Sequence, residues 1–418
     1  MPNLLDYIKN IQYDSFYDQA INKLDILALT ELSYLPFDDL VPTEFTSSGI
    51  RIDKLFDAFN EKYNQKFPPF TMVTKSRLTL FELMASSKRY KYLKAFAYVN
   101  DYQIDLQQQF AAVSYHLDRD TVLTCFRGTD DTIIGWKEDF HMTYMKEIPA
   151  QQSASRYLQD IMAAQHSDFY VSGHSKGGNL AIYATSQLPP TLQQYILIVY
   201  AFDAPGLHKQ YLTSDGYLGI KQKIVPIIPQ NSIVGMMLET PEKAQIVSSR
   251  TIGLLQHISF SWEVDGYDFR TAPALTKESL QIDRTLKAWT ASLTEEELQA
   301  FFDLFFGIFI QAGIERFSDF VINPLQKLQE IDRLRKEFSP QEAEMMDKLI
   351  RMLFDTRYQI WLEGWNNRLP KLDLNFPDWN DLFSNRPITR YLSNHSFLQY
   401  TVIKNKLEDF LCHNLSSH

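Results

Sequence analysis

The stretch that most restricts how this chain folds is Phe169-Tyr170-Val171-Ser172-Gly173-His174-Ser175-Lys176-Gly177-Gly178-Asn179-Leu180-Ala181. Phe169–Val171 reads as a short buried strand, and Asn179–Gln187 reads as a helix. The turn Gly173-His174-Ser175-Lys176-Gly177 lies between them. A chain that passes from strand to helix this quickly turns sharply, with strained backbone angles at the apex, so the residues two places to either side must be small. Gly173 and Gly177 meet that demand, while Gly178 and Ala181 let the helix pack close to the strand. Ser175 then stands at the apex, with the helix N-terminus directing partial positive charge toward it. A G-x-S-x-G pentad alone arises often by chance and can be a plain structural turn. The strand before it and the helix after it give this one its weight.

Around that turn the hydrophobic period changes repeatedly. Residues 1–66 read as helical, with Leu4, Leu5, Tyr7 and Ile8 and then Ile21, Leu24, Ile26 and Leu27, until Pro68-Pro69 breaks the pattern. Arg77–Phe96 reads as another helix. Phe110–Leu117 and Thr121–Phe126 are β-rich runs joined by Asp118-Arg119-Asp120, as in a hairpin. Ser153–His166 is helical; Tyr195–Phe202 is almost continuously apolar, as in a strand buried on both faces. Lys223–Ile228 and Arg250–Leu255 are further strand candidates. This alternation predicts an α/β fold of the α/β-hydrolase type, a mostly parallel sheet with helices on both faces.

Later residues turn helical again. Thr294 with Glu297 and Ser339 with Pro340 mark two helix starts, and residues 366–386 are loop-rich. We therefore expect an N-terminal helical region packed on the core (1–100), a catalytic core (101–275) and a C-terminal helical region serving as lid or cap (276–418).

Charge and composition exclude several functions. The 418 residues are 45% hydrophobic and 22% charged, as in ordinary globular proteins, and the net charge is −10. An acidic protein is repelled by phosphate backbones and anionic membranes, so nucleic acid is not an expected partner. The basic run Arg333-Leu334-Arg335-Lys336 sits in a mixed-charge helical stretch and reads as a solvated face. Cys125 and Cys412 form neither a disulfide framework nor a metal set, so no metal or organic cofactor is implied. A reducing compartment fits. The first residues lack a basic region followed by a long apolar run, and a cytoplasmic location is expected. Phe301–Ile314, interrupted by Asp303 and Gln311, is too short to span a bilayer and reads as a buried helix, with an interfacial lid as the other reading.

A nucleophilic serine needs a base, which in this fold follows it in sequence. His257, just after the strand candidate Arg250–Leu255, is preferred over His208; either can be a structural histidine. His174, inside the turn, reads as packing. The orienting acid usually follows the penultimate strand, but Pro229-Gln230-Asn231-Ser232-Ile233-Val234-Gly235 holds no carboxylate. Asp203 ends the preceding strand and is the candidate, with Asp265 and Asp268 as alternatives and a loop-capping role as its structural reading. The backbone N–H of Lys176 is one expected oxyanion donor. Thr129, in Thr124-Cys125-Phe126-Arg127-Gly128-Thr129, is the second, through N–H and hydroxyl, unless that segment is a plain turn.

Phe126-Arg127-Gly128-Thr129 followed by Trp136-Lys137-Glu138-Asp139 resembles the F-R-G-[ST]…W-x-x-D block of class 3 lipases. The resemblance implies Thr129 as oxyanion donor, Asp139 as its support and Asp130–Asp139 as a lid, over about residues 100–260. The chain is also similar, to about residue 330, to an α/β-hydrolase-like bacterial family of unknown function related to those lipases. The matching stretches are Leu5-Asp6-Tyr7-Ile8, Leu32-Ser33-Tyr34-Leu35, Gly173–Leu180 and Ser232-Ile233-Val234-Gly235. The chain departs from the class 3 pattern where Asn231 and Ser232 replace the expected aspartate. The expected function is a serine esterase acting on a small-molecule or lipid ester. Two alternatives stand beside it: a binding module on a degenerate hydrolase fold, and a membrane-surface lipid hydrolase that uses Phe301, Phe302, Phe305, Phe306 and Phe309.

Overall fold

Eight strands lie side by side in their chain order: β1 (Ile50–Arg51), β2 (Lys94–Gln103), β3 (Gln108–His116), β4 (Thr121–Phe126), β5 (Asp168–His174), β6 (Ile196–Phe202), β7 (Ile224–Pro229) and β8 (Gln245–Val247). The computed structural model describes residues 1–347 except 64–72, 104–107, 131, 240–242, 252, 315 and 317–323. The Pro68-Pro69 break, the loop-rich stretch 366–386 and Cys412 fall outside the described residues. β1 to β4 pair antiparallel, with the hairpin β3–β4 in register Val122 to His116. β4 to β8 pair parallel. This is the expected mostly parallel sheet, with helices on both faces.

Parallel neighbours need crossovers, and crossovers of one hand between strands taken in chain order all fall on the same face. Here these are α5 (Ile133–His141), α6 (Pro149–Ala164), α7 (Lys176–Ser186), α8 (Pro190–Gln193) and α9 (Asp215–Ile220). Side chains of α6, α7 and α9 bury the face carrying Val122, Phe126, Phe169, Val171, Val199 and Ala201. The opposite face, with Leu123, Cys125, Tyr200, Phe202 and Ile227, is covered by α1 (Leu4–Ile11), α2 (Lys23–Leu32), α3 (Ile52–Tyr63) and α4 (Thr74–Ser86), together with Phe260, Trp262, Val264 and Phe269. Capping boxes on Asn3 with Asp6 and Asn22 with Asp25 start α1 and α2.

The region read as helical, 1–100, also carries β1 and most of β2, and two single elements differ as well. The helix read over Arg77–Phe96 stops at Ser86, and β2 begins at Lys94. Ser87 is extended at the helix end and its hydroxyl donates to the Gln12 carbonyl, while Arg89 turns inward to pair with Asp25 at 2.6 Å. The described residues of Arg250–Leu255 form no strand. The last strand of the main sheet is β8, and Ser248–Arg250 exchange backbone bonds with the returning segment around Ser261, Glu263 and Arg270. Gly253–His257 is a short 3-10 turn.

At the C-terminal side, α10 (Lys277–Ala291), α11 (Glu295–Gln311) and α12 (Pro324–Arg335) follow. The Thr294–Glu297 capping box opens α11. Phe301, Phe302, Phe306 and Ile308 bury themselves against Ile133, Trp136 and Phe140 of α5, and Lys137 pairs with Asp303 at 2.7 Å. The phenylalanine stretch is therefore mostly core, as read, but Phe305 is 36% exposed and lies at the rim. No helix among the described residues is long and apolar enough to cross a membrane. Phe306→Ala should lower stability by about 3–5 kcal/mol, the cost of emptying a buried aromatic site. Phe305→Ala should cost roughly 1 kcal/mol or less. Urea unfolding of both variants checks this, and equal losses would contradict the assignment of faces.

Candidate active site

The site begins at the end of β5. Ser175 adopts φ 59° and ψ −134° as the residue before α7, a left-handed conformation unusual for a side chain larger than glycine. A β-carbon at Gly173 would strike the backbone of Gly177, and one at Gly177 would strike the Phe126 carbonyl. Both positions are therefore closed to other residues, as the turn requires. Ser175 itself is 7% exposed.

Asp203 and His257 meet. Asp203 ends at the C-terminal edge of β6, with φ 40°, and one carboxylate oxygen accepts from His257 Nδ1 at 2.7 Å. A carboxylate only accepts, so Nδ1 carries a proton, and in the neutral ring Nε2 is then the nitrogen with the lone pair. The other Asp203 oxygen accepts from the Ser232 hydroxyl and from the Gly235 N–H at 3.1 Å. Ser232 thus occupies the loop where an aspartate was expected and supports an aspartate from the neighbouring strand. Gln256, beside the histidine, accepts from the Asn231 N–H at 2.9 Å.

The other candidates lie apart. Asp268 pairs with Lys23 at 3.0 Å, and Asp265 is exposed in the small hairpin that the two share. His208 caps its own turn, Lys209–Tyr211.

On the other side of Ser175, Lys176 opens α7, and its N–H belongs to the first turn, where no intrahelical acceptor exists. Its side chain is fully buried and pairs with Glu138 at 2.6 Å, also donating to the Gln109 carbonyl at 3.0 Å. Thr129 donates its hydroxyl to Asp139 at 2.7 Å. The hydroxyl is thereby committed, which leaves the Thr129 backbone N–H as the available donor. The Asp130–Asp139 segment contains most of α5, whose Glu138 is buried beneath Lys176 and whose outer side is covered by α11.

His174 is buried, as its packing reading expects, and its partners were not foreseen from sequence. Its ring lies 4.6 Å from that of His257, and its Nε2 lies 2.9 Å from the His257 carbonyl. Burial, then the neighbouring His257, pushes its pKa down to about 4. The position directly before the serine was the only sequence signal for it. Among the described residues, no three His, Cys, Asp or Glu side chains are grouped to hold a metal.

A family model described as Mbeg1-like matches residues 84–307, more than half of the 418 residues. The chain belongs to the Mbeg1-like family. No curated protein matches it. Solved structures similar to this Mbeg1-like chain include M37 lipase, with 14% identity and a TM-score of 0.31 over 52% of this chain and 70% of that one. A lipase from Rhizopus microsporus var. chinensis has 14% identity and a TM-score of 0.30, covering 58% and 87%. Native Rhizomucor miehei lipase in its propeptide complex has 13% identity and a TM-score of 0.29, covering 58% and 92%.

Asp139 of this Mbeg1-like protein gives a pH prediction. Burial raises its pKa to about 6, against the lowering effects of Lys176 and the Thr129 hydrogen bond. A carboxyl whose folded value exceeds its unfolded one favours folding at pH below the unfolded value, and that contribution is lost as pH rises through about 6. Asp139→Asn has no such dependence. Its stability relative to wild type should therefore rise by roughly 2–3 kcal/mol between about pH 4 and about pH 8, measured by urea unfolding. A difference that stays flat with pH would contradict the assignment.

Proposed function

We propose that this protein is a serine hydrolase of carboxylic esters, with Ser175 as nucleophile, His257 as base and Asp203 as the acid that orients it. The observation that carries the reading is the 2.7 Å contact from His257 Nδ1 to a buried Asp203 at the strand ends beside the Ser175 turn. Ser175 Oγ attacks the ester carbonyl and its proton passes to His257 Nε2. The negative charge on the former carbonyl oxygen is met by the backbone N–H groups of Lys176 and Thr129, with Asp139 holding Thr129 in place. The leaving alcohol takes the proton from Nε2. Water then attacks the acyl-serine, losing its proton to the same nitrogen; the Oγ–acyl bond breaks, the proton returns from Nε2 to Ser175 Oγ, and the carboxylic acid is released. The substrate class is a small-molecule or lipid ester, and no step needs a metal or organic cofactor.

The binding-module reading rested on the missing acid at Asn231 and Ser232. Asp203, supported by Ser232, weighs against it. The membrane-surface reading draws on Phe305 and Ile310, 36% and 45% exposed, but Phe301, Phe302 and Phe306 of the same helix are engaged with α5 and its surroundings.

Ser175→Ala should abolish fluorophosphonate labelling and ester cleavage with little change in thermal midpoint. Asp203→Asn should cut turnover by roughly 10³–10⁴, the scale of losing the correct histidine tautomer. Wild-type protein that takes no label, under conditions that label a control esterase, would sink the reading.

A further inference from the structure

His257 sits in a short 3-10 turn outside the sheet, so its position depends on side chains that reach it from elsewhere. One set comes from the N-terminal helices. The His257 carbonyl can only accept, so the His174 Nε2 that lies 2.9 Å away carries a proton. The buried His174 ring is neutral, because burial and the neighbouring His257 oppose a second proton. Its Nδ1 is therefore an acceptor, and it takes the hydroxyl of Tyr34 at 3.1 Å, which also reaches the His174 carbonyl at 3.3 Å. Tyr34 follows α2, and the guanidinium of Arg77, from α4, lies 3.7 Å from its ring centre. Arg77 Nε donates to Glu31 of α2 at 2.8 Å, with both side chains buried. The second Glu31 oxygen accepts the hydroxyl of Ser259 at 2.6 Å, two residues past His257. The turn is thus gripped at its carbonyl and just beyond it by one connected group of side chains.

We propose that Tyr34 and His174 are positioning residues: the Tyr34 hydroxyl fixes the His174 tautomer, and that tautomer donates to the His257 carbonyl and holds the base in register with Ser175. The proposal rests on the hydrolase reading and assigns to the N-terminal helices a part in turnover beyond covering the sheet. Glu31 and Arg77 brace the relay, the first through Ser259 and the second by stacking on Tyr34.

The test uses the full-length protein and a p-nitrophenyl ester. Tyr34→Phe removes one oxygen; kcat should fall roughly tenfold, with KM within about twofold of wild type and the thermal midpoint little changed. Histidine ring ¹⁵N shifts should report His174 as the Nε2–H tautomer in wild type and as a mixture in Tyr34→Phe. In His174→Gln the amide nitrogen reaches the place of Nε2, and kcat should stay within about tenfold of wild type; His174→Leu fills the space without a donor and should lose roughly 10²-fold. Equal rates for the Gln and Leu variants, or a wild-type kcat in Tyr34→Phe, overturn the proposal. Should the His174 variants fail to fold, Tyr34→Phe decides alone through kcat and tautomer together. Wild-type protein that neither labels nor hydrolyses overturns the hydrolase reading instead. The ¹⁵N measurement then still stands apart, since an unchanged His174 tautomer in Tyr34→Phe overturns this proposal on its own.

Discussion

Five parallel strands in chain order, joined by crossovers of one hand, leave one face of the sheet without cover. Leu123, Cys125, Tyr200, Phe202 and Ile227 project from that face. A parallel sheet is stable only with both faces buried, so something from outside the crossover region has to supply the second layer. Here it is α1 to α4, and the sheet depends on them as much as on its own ladder. Covering a sheet with helices that also approach strand ends has a consequence. Thr30 of α2 lies 2.7 Å from Ser172 in β5, three residues before Ser175, and Tyr34 continues past it to His174. The cover and the candidate site are one piece of packing.

The opposite flank is organised around a buried charge. Lys176, directly after Ser175, points into the protein, and an ammonium there is costly unless it is paired. Glu138 pairs with it, and Glu138 accepts in addition from the N–H groups of Gln109 at 3.1 Å and Ala150 at 3.3 Å. Such a pair adds little net stability over an apolar packing of the same volume, yet removing one partner costs about 3–5 kcal/mol. Its effect is therefore positional. It fixes α5 against the start of α7, and the next residue on α5 is Asp139, which holds Thr129. The two candidate oxyanion donors come from separate segments, and this ion pair sets the spacing between them. α11 adds a second clamp from outside through Phe302, Phe306 and the Lys137–Asp303 pair.

What the sequence disclosed depended on whether a local pattern or a long-range contact set the structure. The Ser175 turn was legible because glycine is demanded at two positions by backbone collisions within a few residues and across one neighbouring strand. The α11 start was legible because a capping box is a three-residue device. The end of α4 was not. Nothing local forbids helix at residues 87–93; the chain leaves it because Arg89 is drawn to Asp25, 64 residues earlier. The alternation Ala95-Phe96-Ala97-Tyr98-Val99 was the missed strand signal. The segment after β8 failed for the same reason, since its backbone pairs with a returning loop rather than with the sheet. His174 was read as packing because its partners, Tyr34 and the His257 carbonyl, are 140 and 83 residues away.

The position of Asp203 depends on two strands that end side by side. β6 and β7 are parallel neighbours, and the Asp203 N–H bonds the Ile227 carbonyl at 2.8 Å, so the ends of the two strands lie side by side. A carboxylate leaving either end can reach the same space in front of them. Leaving from β6 requires the backbone to turn at once, and Asp203 does so with φ 40°. That strain persists only where surrounding contacts over-determine it. Asp203 is 1% exposed and both its oxygens are engaged, by His257, Ser232 and Gly235. A β-carbon at Gly235 would press on the same carboxylate, so the β7 loop contributes small donors exactly where a second acid would have repelled the first. Asp203 at the end of β6 and Ser232 and Gly235 of the loop after β7 are therefore a single arrangement.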